Sequence, residues 1–259
     1  KVIGMVLTFF ESSWLMYKKR FIPVLQIKNK HLVKTIQFTP SRYLGDPLNA
    51  VRIFNLKGVS ELIITDISAT KNKVIDFDLL EKISAQAFVP IAYGGGISSI
   101  QDANKLYQIG FDKIIISTAL FEQPKLIKTI VSVYGSQNVI GSIDFRKNHG
   151  NMIITCCGSL KNVSNTNLKE IIKSFLKIGV GEIFLHDIDR DGTYKGLDLD
   201  VIRYVSTLSS VPVIGCGGAK SLNDMDAAIN AGASGIAAGS FFSFYGKHRA
   251  VLINYGGIY

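Results

Sequence analysis

The sequence predicts a single α/β domain, a (β/α)8 TIM barrel built from two similar half-barrels. Three observations carry this. Val89–Ala119 and Val211–Ser240 are near-copies at a constant offset of 122 positions (Val89 to Val211, Gly95 to Gly217, Asp102 to Asp224, Gly110 to Gly232). A gap-free internal repeat of that length marks a duplicated unit. Short apolar runs alternate with helical segments along the chain, which argues for a parallel sheet covered by helices. The 259 residues match the length of one such barrel, and no GxGxxG turn opens the chain as a dinucleotide fold requires.

The elements follow in order. Residues 1–15 (KVIGMVLTFFESSWL) lack the cationic start and cleavage site of a signal peptide. The expectation is an N-terminal extension over 1–15, a natural start at Met16 and one barrel domain over 16–259. FIPVLQI (21–27) is the first strand, and HLVKTI (31–36) continues it as a hairpin. Gly45-Asp46-Pro47 makes a turn into a helix. ELIITDI (61–67) is the second strand and FDLLEKISAQA the second helix. The first repeat copy supplies strands three and four, and QPKLIKTIVSVYG the fourth helix. NVIGSIDF (138–145) then repeats the first strand, with NMIITCC as its hairpin. TNLKEIIKSFLKIG is a helix, EIFLHDI (182–188) a strand and DLDVIRYVSTLS a helix. The second repeat copy completes eight strands, each followed by a helix or helix-like segment.

Within each repeat copy, a strand ends in a Gly-rich turn, a helix opens at a serine cap (Ser98 or Ser99 in the first), and a second strand ends in hydroxyl and N–H donors. Gly96 with Ser117 and Thr118, and Gly217 and Gly218 with Gly239 and Ser240, thus point to two anion sites. Tight strand–helix packing is the plainer alternative.

Composition narrows the function. The net charge of +9 is spread along the chain without the aromatic-basic motif of a nucleic-acid module. It suits an anionic small molecule, an acidic partner or a solvated surface better. Three cysteines (Cys156, Cys157, Cys216) without CxxC spacing suggest a reducing compartment, hence the cytoplasm, and no metal site. No apolar run is long enough to span a membrane.

In such a barrel the strand C-termini face the active site. The candidates are Gln26, Asp66, Asp144 and Asp189, with Asp191 in the next loop. Gln26 and Asp144 are equivalent in the half-barrel alignment. Two carboxylates there would make an acid–base pair, but Gln26 has no titrating proton and can only hydrogen-bond. Asp144 is the better catalytic or ligand-binding candidate, with loop capping as its alternative. Asp66 suits loop organisation as well as function, and Asp189 and Asp191 in DRDGT (189–193) suit an Asx turn. At the strand starts, Arg20, Glu61, Lys113 and Glu182 are expected on alternate strands, as a ring of two cations and two anions at the barrel bottom.

These residues resemble the cyclase subunit of imidazole glycerol phosphate synthase, the HisF family. The resemblance runs from about Met16 to near the C-terminus, on the DIxA motif at Asp66–Ala69, GGGI at Gly94–Ile97, DKxxIxTA at Asp112–Ala119, DRDGT and the Gly217-Gly218 turn. It implies a lyase-class barrel without a cofactor, receiving ammonia from a HisH-like glutaminase docked on its N-terminal face. It places an ammonia gate on Arg20, Glu61, Lys113 and Glu182. Phosphate and substrate contacts fall on Lys34, Asp66, Gly96, Ser117, Thr118, Asp191, Gly192, Gly217, Gly218, Gly239 and Ser240, with asparagine usual at the Ser117 position. One catalytic aspartate falls on Asp144. The other falls on Gln26, where the family pattern LDV reads LQI here, and the glycine that usually follows Lys34 is Thr35.

An intact entrance with an altered cyclase site resembles the HisF-like paralogues of surface-polysaccharide synthesis (WbuZ type), as do GDPLNAVRIFN and GKHRAVLINY. That resemblance implies supply of ammonia to a sugar amidotransferase. The alternatives are a working histidine-pathway cyclase, which would need another acid near Gln26, and a non-catalytic scaffold whose phosphate sites hold a regulatory ligand.

Overall fold

The computed structural model describes residues 19–148, 151–156, 158, 161–163 and 167–255. The extension expected over 1–15, the expected start at Met16 and Cys157 lie outside the described residues. Eight parallel strands close into a barrel: β1 (Phe21–Lys28), β2 (Leu62–Asp66), β3 (Ile91–Gly94), β4 (Lys113–Ile116), β5 (Val139–Asn148), β6 (Glu182–Asp187), β7 (Val213–Cys216) and β8 (Gly235–Ala238). β8 pairs with β1, and β6 pairs with both β5 and β7, so the barrel has no open edge.

Period-two alternation sorts the apolar residues into two cores. Ile22, Val24, Ile63, Ala92, Ile115, Ile140, Phe184, Ile214, Cys216 and Ala237 fill the barrel interior. Their strand neighbours Leu25, Ile64, Ile116, Leu185 and Ile236 face outward and join the core beneath the helices. The helices are fixed by their caps. Ser99 Oγ accepts from Asp102 N, and its own N–H donates back to the Asp102 carboxylate in a capping box, and Ser221 accepts from Asp224 N at the matching place in the second copy. Asp46, Asp76, Asn167 and Asp198 cap four more helices.

Three boundaries differ from expectation. Asp66 ends β2 and caps a short helix, Ile67–Asn72, because its carboxylate accepts from Ala69 N at 2.9 Å. The first hairpin has a third strand, Ser41–Gly45, paired antiparallel with His31–Thr35. β8 is followed by a single helical turn, Ser240–Ser243, and a small hairpin, Phe244–Tyr245 with Ala250–Val251.

The Gly-rich turns are required by close backbone approach. A Cβ on Gly95 would lie 2.6 Å from the Asp66 carbonyl oxygen, and one on Gly217 would lie 2.3 Å from that of Asp187. Both glycines also adopt positive φ. Packing alone therefore accounts for glycine at these two positions. Among the described residues no helix is long and apolar enough to cross a membrane, and no His/Cys/Asp/Glu cluster could hold a metal ion.

Candidate functional site

Two polar layers bracket the apolar interior. At the N-terminal end, Arg20 Nε and Nη2 donate to Glu61 at 2.7 and 2.9 Å, and Nη2 also reaches Glu182 at 3.1 Å. Lys113 Nζ pairs with the other oxygen of Glu182. The hydrogen bonds to Glu61 outweigh burial and raise the Arg20 pKa further above its usual range. The four residues thus form one connected network, as expected. They do not sit on alternate strands, however: Arg20 and Glu61 begin β1 and β2, which are neighbours. The closed circumference brings Glu182 across to meet Arg20.

At the C-terminal mouth, Lys34 Nζ lies 2.9 Å from both carboxylate oxygens of Asp191, and both side chains are almost fully buried (4% and 6% exposed). Burial opposes ionisation of Asp191, but Lys34 and His186 outweigh it and hold the carboxyl well below the usual range. Gln26 is buried beside them. Its Oε1 accepts from Thr35 N at 3.0 Å, Thr35 Oγ1 at 3.2 Å and Lys34 Nζ at 3.4 Å. The backbone N–H needs an acceptor, which settles the orientation of the amide. The amide oxygen thus ties β1 to the returning hairpin strand.

Asp144 ends the inward row of β5. It accepts from Ser142 Oγ at 3.0 Å, and burial raises its pKa against the opposing pull of His186 and Ser142. His186, on the adjacent strand β6, stands in register with Asp144 on one side and Cys216 on the other. Its Nδ1 is 3.9 Å from Asp144 Oδ1 and its Nε2 is 3.7 Å from Asp191 Oδ1. Phe38 at the hairpin tip and Phe184 meet its ring edge-on, at 5.0 and 5.6 Å between centroids. His186 is absent from the sequence reading, although counting in twos along β6 from Glu182 through Phe184 finds it.

Asp191, Gly192, Gly217, Gly218, Gly239 and Ser240 line one concave depression with Tyr194 and Cys216. Gly239 is also crossed by Lys34, whose Cε would meet an added Cβ at 3.0 Å. Ser117 and Thr118 open a short helix at the end of β4, and the Ser117 hydroxyl makes no capping bond there. Two other candidates are not aimed at the mouth. Asp66 caps the helix described above, and Asp189 accepts from Lys147 N at 2.8 Å, tying its loop to the second hairpin. The outward position of Asp66 follows from its place one residue after inward-facing Thr65.

Residues 20–249 match the family described as histidine biosynthesis protein. The chain belongs to that family. Within it, the chain resembles HisF subunits over nearly its whole length. It is 43% identical over 244 residues, 93% of this chain and 96% of the relative, to a Pseudomonas aeruginosa protein carrying the provisional name imidazole glycerol phosphate synthase subunit hisF2. It is 42% identical over 245 residues, 93% of this chain and 96% of the relative, to a similarly named Leptospira borgpetersenii HisF. A Streptococcus mutans protein named imidazole glycerol phosphate synthase subunit HisF is 35% identical over 211 residues, 81% of this chain and 84% of the relative. The chain is thus a HisF-family barrel, and the fold expected from the repeat is the fold observed.

Proposed function

We propose that this HisF-family barrel receives ammonia from a HisH-like glutaminase at its N-terminal face and releases it at the C-terminal mouth. There it supports amidination of a sugar in surface-polysaccharide synthesis. The observation that carries this reading is the contrast between the two polar layers. The Arg20, Glu61, Lys113 and Glu182 network is complete, while at the mouth Gln26 carries no ionisable proton and its amide oxygen is already bonded to Thr35 and Lys34. The interior between the layers is lined by apolar side chains, which suits a small neutral molecule better than an ion.

Leu56 and Phe88 support the docking side of the reading. Both are 87% exposed, both precede strand starts, and Asn55 Oδ1 accepts from Phe88 N to hold the two segments together. Large exposed apolar side chains in segments that lead into strand starts suit an interface with a partner subunit. The residues lining the depression, with Lys34 beside them, are the proposed contacts for a phosphorylated ligand. The first-copy group of Gly96, Ser117 and Thr118 is its proposed counterpart.

The second reading is the cyclase of histidine biosynthesis, which converts the ribulosyl aminoimidazole carboxamide bisphosphate with ammonia to imidazole glycerol phosphate and aminoimidazole carboxamide ribotide. His186 favours it by supplying a titrating group beside Asp191, which pairs with the Lys34 that Gln26 contacts. The deciding experiment gives that bisphosphate and ammonium to wild type and to Gln26→Asp. Wild-type turnover well below that of Gln26→Asp supports the ammonia-delivery reading. Equal turnover by the two returns the chain to the histidine pathway.

A further inference from the structure

We propose that His186 is a further catalytic residue, the general acid of the mouth, acting with Asp144 on a phosphorylated acceptor that carries a carbonyl carbon. The proposal takes from the functional reading only that ammonia is the nucleophile. Three features of the site carry it. The imidazole lies between Asp144 on β5 and Cys216 on β7, at the end of the apolar interior. Its two nitrogens face two different carboxylates, at 3.9 and 3.7 Å, both beyond hydrogen-bond length. Nε2 is buried without a hydrogen-bond partner, where a purely structural histidine would be satisfied.

The groups facing the ring explain its charge. Asp144 lies on one edge and Asp191 on the other, with Lys34 paired to the far side of Asp191. The Cys216 thiol stands on the neighbouring strand, and Phe38 and Phe184 contribute no charge. Burial opposes protonation, but Cys216 and Asp191 outweigh it and hold the imidazole well above its usual value. An imidazolium that is desolvated and lies beyond hydrogen-bond length of both carboxylates is suited to donate a proton.

The step balances without any further reactant. The ammonia lone pair attacks the carbonyl carbon, a C–N bond forms, and the C=O π pair moves to oxygen. His186 gives the Nε2 proton to that oxygen. Asp144 takes one proton from the attacking nitrogen, leaving a neutral carbinolamine. The ring, which keeps its Nδ1 proton, regains one at Nε2 from solvent, and Asp144 releases to solvent the proton it took, so no net proton is gained or lost.

The test uses the intact chain, as wild type and Gln26→Asp, each with and without His186→Gln. The bisphosphate and ammonium chloride are supplied from pH 6 to 9, with rates expressed per free ammonia. His186→Gln is expected to lower kcat by about 10²–10⁴-fold, the usual range for loss of a general acid, with KM little changed. It also removes the alkaline limb that the imidazolium imposes. A buried structural histidine would alter stability without moving that limb. In parallel, the ring resonances of His186, identified by their loss in His186→Gln, are followed by NMR as the bisphosphate is added, and they are expected to shift. Turnover unaffected by His186→Gln overturns the proposal. If neither parent turns over, an unshifted His186 at saturating bisphosphate overturns it, and a shift supports it. Ammonium replaces glutamine throughout, so a failure to bind any glutaminase leaves this assay untouched and the two readings fail separately.

Discussion

The Gln26 corner and the Asp144 corner are the same piece of architecture with opposite chemistry. Each is the inward residue near the end of the first strand of a half-barrel, and each strand turns back as an antiparallel hairpin. Gln26 Oε1 takes three donors, and beside it Lys34 and Asp191 neutralise each other. Asp144 takes one hydrogen bond from Ser142, and burial raises its affinity for a proton. The duplicated fold sets where these side chains sit. Their neighbours decide whether the position binds, titrates or merely fastens two strands. In this chain the first half fastens, and the titrating groups gather on β5 and β6.

The largest expected effect comes from undoing that asymmetry. Gln26→Asp introduces a carboxylate at the first corner and is expected to raise ammonia-dependent turnover of the bisphosphate by about 10²–10⁴-fold. Turnover by neither protein would mean that the corners differ in more than one side chain. Next comes Asp191→Ala, which leaves the Lys34 ammonium buried without its partner. Breaking a buried pair in this way costs about 3–5 kcal/mol, read as a lower urea midpoint at unchanged slope. A loss under about 1 kcal/mol, the worth of a surface pair, would show that solvent reaches Lys34 and that the first corner is looser than the contacts indicate.

A second pair of equivalent positions, Asp66 and Asp187, extends the comparison to pH. Both accept the N–H three residues on, and burial raises the pKa of both. Asp187 is pushed up to about 6, because burial outweighs the bond from Arg190 N and the Arg190 charge. An unfolded aspartate titrates near 3.9. The folded chain therefore holds this proton more tightly, so its contribution to stability falls as pH rises from about 4 to about 6 and is level above. Asp187→Asn keeps an acceptor for Arg190 N and removes that slope. It is expected to gain about 1–3 kcal/mol relative to wild type between pH 4 and pH 7, measured by urea unfolding at each pH. Parallel curves would place the proton elsewhere.

Much of this was legible in the sequence. The 122-position offset gave the duplicated unit and thus the closed barrel. The charges of Arg20, Glu61, Lys113 and Glu182 gave the ionic layer, although they do not alternate around the barrel, because Arg20 and Glu61 begin consecutive strands. Lys34 and Asp191 were picked out as contacts for a ligand, but not as partners of each other. Their pairing spans 157 positions, and local patterns carry no information across that distance. Asp66 and Asp189 were placed with the strand-end acids because a carboxylate after a strand reads alike whether it faces the mouth or caps the next turn. His186 is legible only from the inward row of its strand, Glu182, Phe184 and His186, and carries no local motif of its own.

Thr35 offers the smallest effect and the finest test of why the corners differ. The HisF resemblance implies glycine here, and the threonine hydroxyl reaches Gln26 Oε1 at 3.2 Å and Asp191 Oδ2 at 3.5 Å. In wild type its removal leaves Gln26 bonded to the backbone N–H and to Lys34. Thr35→Gly should therefore cost only about 1–2 kcal/mol, one neutral hydrogen bond plus the backbone freedom of glycine in a strand. In the Gln26→Asp background the same hydroxyl would donate to a carboxylate. A hydrogen bond to the charged form lowers a pKa and weakens the group as a base. Adding Thr35→Gly to Gln26→Asp is then expected to raise turnover by a further factor of about ten or less, the scale of one pKa unit. The rate of the double variant relative to the two single variants measures this coupling directly. A double variant no faster than Gln26→Asp would reduce Thr35 to a packing residue, and the contrast between the corners would then rest on position 26 alone.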